Sequence, residues 1–166
     1  MTVPGVQNTS QTARLLNGAP GFAVGWQEPV YLASPAVGQE WVHKTDGRYY
    51  ERLITARWTL ATSAVVATRF PTLQLTDTNG VVITSVPMAG GVVASTVVVA
   101  NLINGLTTLS SGTVGNTWGQ LPDLLVPPGW TWQAVTSGLD AGDQESGIVL
   151  VFQKFPNDAA MITAGG

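Results

Sequence analysis

Leu53-Ile-Thr-Ala-Arg-Trp-Thr-Leu60 alternates residue by residue. Ile54, Ala56, Trp58 and Leu60 fall on one side, and Leu53, Thr55, Arg57 and Thr59 on the other. A two-residue period of this kind predicts a strand with one face in a core and one wetter face. Downstream, Arg69–Asp77 repeats the pattern, with Pro71, Leu73 and Leu75 opposite Thr72, Gln74 and Thr76. Thr78-Asn79-Gly80 then breaks the run before the apolar stretch Val81–Val86. Asn-Gly between two apolar runs predicts a hairpin with a two-residue type I′ turn, whose central residues both need φ > 0.

The rest of the chain reads the same way. Glu40–His43 and Ala94–Leu102 are strand candidates, as are Leu124–Val126, Trp130–Thr136 and Ile148–Phe155. Asp46-Gly47 and Pro127-Pro128-Gly129 mark turns between them. Val97, Val98 and Val99 are consecutive, which predicts burial on both faces of that strand. Val (21 residues) and Thr (20) favour strands, and 19 Gly with 10 Pro supply the turns. No long segment has the 3.6-residue apolar period of a helix. About eight short strands with turn signals every 8–12 residues predict an all-β fold, a single β-sandwich or jelly roll. The expected organisation is an extended N-terminal arm over 1–29, a sandwich over 30–155 and a small-residue tail over 156–166. Within the arm Phe22, Val24 and Trp26 alternate and are expected to lie on a neighbouring surface.

Composition bounds the function. The 166 residues suit one domain. Charged residues are 10% of the chain and the net charge is −3, so the basic footprint of a nucleic-acid binder is missing. With no cysteine and one histidine, His43, disulfides, thiolate metal sites and multi-histidine metal sites are excluded within one chain. Met1–Asn8 lacks the basic start and apolar run of a signal peptide. Val86–Leu106 is apolar, but Pro87, Gly90-Gly91, Asn101 and Asn104 interrupt it, so it is not read as a membrane span.

Candidate sites compete with plainer readings. No Asp, Glu, Lys or Arg lies between Asp77 and Asp123. Sheet edges usually carry charges that block unwanted pairing, so this run is expected to form subunit contacts, with Val97 and Val99 among them. Trp130 and Trp132, two residues apart on a strand, share a face as core or interface anchors and are taken as interface candidates; a sugar-stacking platform is the alternative. Asp140, Asp143 and Glu145 cluster, and a solvated loop is favoured over a calcium site. His43 has Asp46 nearby, but no nucleophile elbow or phosphate-cradling glycine loop accompanies it. Arg48, Arg52 and Arg57 are read either as a solvated face or as pairing with acidic groups on a partner. No enzyme, cofactor or metal is expected.

Tyr50-Glu-Arg-Leu-Ile-Thr-Ala-Arg-Trp-Thr-Leu-Ala-Thr-Ser-Ala64, Ala67–Gly80, Val126-Pro-Pro-Gly-Trp-Thr-Trp132 and Leu139–Leu150 resemble small β-rich virion proteins of tailed bacteriophages. The resemblance covers roughly Trp41 to Phe155. It implies a structural protein of the virion, most like a head decoration (cement) protein on the outer capsid surface. Its partners would be the major capsid protein and copies of itself, as a homotrimer. A tail, baseplate or fibre-associated protein is the alternative, and a carbohydrate-binding β-sandwich the second.

Overall fold

The computed structural model describes residues 25–105 and 115–157. Nine strands form two sheets: β1 (Trp26–Leu32), β2 (Val42–Lys44), β3 (Tyr49–Ala61), β4 (Phe70–Thr76), β5 (Val82–Pro87), β6 (Val97–Asn104), β7 (Asn116–Leu121), β8 (Thr131–Ser137) and β9 (Gln144–Pro156). One sheet has the order β1-β9-β3-β6-β7 and the other β2-β8-β4-β5. No helix occurs among the described residues.

The pairing is nested. β4 pairs with β5, β3 with β6, β2 with β8 and β1 with β9, all antiparallel. That is one long ribbon rolled into two facing sheets, the topology of a jelly roll. β7 stands outside the scheme, added parallel to β6 at the sheet edge. It is one of two strands with no counterpart in the sequence reading; β1 is the other, and it begins inside the segment read as arm. Conversely, Leu124–Val126 is not a strand. Val126 makes a single bridge to Glu51, with backbone bonds of 2.8 and 3.0 Å.

The core lies between the sheets. Leu53, Ala56, Trp58 and Leu102 from one sheet meet Leu73, Leu75, Trp132 and Ala134 from the other, and Trp41 packs edge-on against Trp58 at 5.5 Å between ring centres. Burying such aliphatic and aromatic side chains contributes about 1.5–3 kcal/mol each.

Three local expectations need correction. First, Ile54 does not share the face of Ala56. Opposite β9 the register skips at Ile54, since Leu53 pairs with Phe152 and Thr55 with Val151. This β-bulge lets Leu53 and Ala56 both point inward and leaves Ile54 half-buried. Second, the Asn79-Gly80 turn is not type I′. Asp77 and Val81 close a three-residue loop, and only Gly80 has positive φ (79°). Such a loop is a type I turn followed by a left-handed glycine. The Asp77 carboxylate fixes it by accepting from the amides of Asn79 (2.8 Å) and Val81 (2.9 Å). Third, the three valines are not buried on both faces. Val98 points into the core, whereas Val97 is 60% exposed and Val99 half-buried.

Candidate functional site

Strand register builds the outer face of the five-stranded sheet. One row crosses all five strands: Tyr31 on β1, Val149 on β9, Arg57 on β3, Asn101 on β6 and Trp118 on β7. A second row runs Pro29, Val151, Thr55, Ile103 and Gln120, and beside the first lie Thr59, Val99 and Asn116. Arg57 is the sole charge in these rows and makes no ion pair among the described residues. Tyr31 is 74% exposed. These rows set Val, Ile, Tyr and Trp among Thr, Asn and Gln with one charge, so they offer apolar area that gains by leaving water and little charge to desolvate.

The predicted site residues divide three ways. Val97 and Val99 lie on this face. Trp26 packs within its own chain. It turns inward at the start of β1, meets Tyr49 edge-on at 5.0 Å, and its Nε1 donates to Glu28 Oε2 at 3.3 Å. Phe22 and Val24 lie outside the described residues. Trp132 is a correction: it is 1% exposed, in the core between the sheets. Trp130 precedes β8 and packs half-buried against the same core. Trp132 is therefore neither an interface anchor nor half of a sugar platform. On β8 the inward positions are Trp132, Ala134 and Thr136, so the alternation placed Trp132 correctly on one face, and that face is the core.

The acidic cluster is also a correction, because Asp143 and Glu145 are fully buried rather than solvated. Asp143 is held by the Arg69 fork, Nε to Oδ2 at 2.9 Å and Nη2 to Oδ1 at 3.0 Å, and by the amides of Ser63 (2.7 Å) and Asp140 (2.8 Å). Burial pushes its carboxyl up, but these donors together outweigh burial and hold it at about 2. Its lone pairs are committed to protein donors, and no group of three or more metal-ligating side chains occurs among the described residues. Glu145 is the opposite case. It accepts from the Trp41 amide at 3.0 Å, yet burial raises its carboxyl to about 7 against that bond, and the charge of Glu40 adds to the rise.

A third charged group lies at the β1 end of the sandwich. Lys154 Nζ is 3.2 Å from Glu28 Oε2 and 3.5 Å from the buried Glu51 Oε1. His43 Nε2 lies 3.8 Å from Glu51 Oε2, and its ring stacks on Phe152. Asp46, its neighbour in sequence, is instead clasped by Arg48 at 2.8 Å. Arg52 meets Asp123 at 3.0 Å. Of the three arginines read as a possible partner surface, Arg57 alone is left facing outward without an acid.

Comparison of the chain with family models, curated proteins and solved structures finds no match in any of the three. Two contributors to the outer face, Tyr31 and Trp118, escaped the sequence reading because their strands did. Pro29 hides β1; proline is tolerated there because the strand lies at a sheet edge. Gly119 hides β7; a Cβ there would lie 2.8 Å from Met88 Cε and 3.0 Å from Leu102 Cδ2. The signal in β7 was the alternation Thr117, Gly119, Leu121, all buried, against Asn116, Trp118 and Gln120.

Proposed function

We propose that the chain is a structural protein of a tailed-bacteriophage virion, a decoration protein that binds the outer head surface and stabilises the expanded shell. The observation that carries this reading is the outer face of the five-stranded sheet, where the row that crosses all five strands and the rows beside it hold one charge, Arg57. The buried charged groups support it too, since Arg69 and Asp143 are used to hold loops together rather than to meet a substrate. The jelly roll is shared by viral capsid proteins and lectins, and fold alone does not assign function. The sequence resemblance points to the first class, and the burial of Trp132 removes the sugar platform that would favour the second.

The mechanism is linkage. A protein that binds the assembled lattice and not its dissociated subunits stabilises the lattice by mass action. A copy touching two capsid subunits gains further through effective concentration. The partner is the major capsid protein, met through this sparsely charged face.

The test is to add the purified chain to expanded heads that lack it and follow their disruption on heating. Saturable binding and a raised disruption temperature are expected. Val97→Glu places a charge on the face at an exposed position, so it should abolish binding and leave the chain's own unfolding temperature unchanged. Heads that survive heat equally well with and without the chain would contradict the reading.

A further inference from the structure

The sandwich has four edge strands, and they are not alike. β1 carries Glu28 and Pro29. β2 is three residues long and includes Lys44. Charge, proline and shortness are the devices that blunt an edge against pairing with another chain. The other two edges, β5 and β7, have no charge, and both belong to the run between Asp77 and Asp123. They lie side by side, flanking a groove lined by Thr84, Ser85, Val86, Pro87, Gln120, Leu121 and Pro122. The edge of β7 is partly met by the chain itself, since Ala89 N donates to Trp118 O at 3.2 Å and Thr117 Oγ1 to Ala89 O at 2.7 Å. β5 is the uncharged edge that nothing among the described residues covers, with Val82 and Ile83 exposed along it; a bulge at Ile83 and Pro87 at its end limit the stretch free to pair to Val82–Val86.

We propose that β5 is a pairing edge and that its occupant is β5 of a second copy, antiparallel about a twofold axis. An edge strand presents a row of backbone donors and acceptors, so what it takes is another strand. The choice of an identical strand follows from charge. A twofold contact sets a patch against itself, so any charge near the axis meets its own kind. The uncharged stretch Thr78–Pro122 is where two copies meet without that cost. The exposed aliphatic side chains of Val82 and Ile83 would leave water in the contact. Over this stretch the pairing centres near Thr84 and joins two four-stranded sheets into one of eight. The inference does not rest on the virion reading, and its symmetry is twofold in place of the trimer that the resemblance implies.

The test is sedimentation velocity of the full chain at rising concentration. The expected species is a dimer of the 17.4 kDa chain. Ser85 is exposed on β5 and close to the axis. Ser85→Lys and Ser85→Glu should each weaken the dimer by about tenfold or more, with unchanged thermal unfolding. Mixing the two variants should restore dimerisation, an outcome that misfolding cannot give. A chain that stays monomeric, forms a trimer, or dimerises equally well as Ser85→Lys would overturn the proposal. So would a dimer that is lost on removing residues 1–24 and untouched by the Ser85 variants.

Discussion

Arg69 enters the interior with all five of its N–H donors used. Nε and one Nη2 proton go to Asp143, the other Nη2 proton to Ser63 Oγ, and the Nη1 pair to the carbonyls of Val65 and Ala67. The cluster ties the loop after β3 to the loop before β9. Removing one partner of a buried pair leaves the other charge uncompensated. Arg69→Ala should therefore cost about 3–5 kcal/mol in urea unfolding, and Arg69→Lys should recover little, because an ammonium cannot reproduce the fork. Glu145 behaves differently. Its carboxyl is raised from 4.5 to about 7, so between those values the folded state holds a proton that the unfolded state has lost. Stability then falls as pH rises through this window, by up to about 3 kcal/mol in all. Glu145→Gln should flatten that slope and leave the variant more stable than the parent above pH 7, yet similar at pH 4. A slope that persists in the variant would assign it to another group. None of this was legible in the sequence: Asp143 lies 74 residues from Arg69, and Glu145 lies 104 from Trp41. Local pattern carries no information about such pairings, so three acids in a row of small residues read as a wet loop.

The elements were legible where a strand had a clean period and hidden where tertiary fit overrode it. The alternation in Leu53–Leu60 placed β3, and the Asn79-Gly80 break placed the β4–β5 turn. The bulge at Ile54 was not readable, because it serves the curvature of two 13-residue strands, β3 and β9, that pair along most of their length. Glycine positions offer a test at this scale. Gly80 has φ of +79° and open space where a Cβ would stand, whereas Gly138, also at +79°, would place a Cβ 2.9 Å from Thr68 O. Gly80→Ala should cost only the left-handed backbone penalty, about 1–2 kcal/mol. Gly138→Ala should cost clearly more, because the carbonyl it would strike belongs to backbone beside Arg69. Equal losses in chemical denaturation would mean that the Thr68 segment yields freely.

At the scale of the molecule, opposing titrations set an acidic optimum. Asp143 is lowered from 3.8 to about 2, so its contribution is present above the unfolded value and is lost as pH falls from about 4 toward 2. Glu145 removes stability from about 4.5 upward. Thermal unfolding across pH should thus peak near pH 4–5 and decline on both sides. The proposed function rests on what the rolled ribbon leaves outside: rows of the five-stranded sheet whose one charge is Arg57, and the uncharged edge of β5. The uncharged run was expected to form subunit contacts; register shows which of its described side chains face outward.

The central claim concerns where the chain sits in an assembled particle, and immunogold electron microscopy of intact virions, with antibody against this protein, tests it most directly. Dense labelling over the head is the predicted result. Labelling confined to the tail or its tip would contradict the decoration reading.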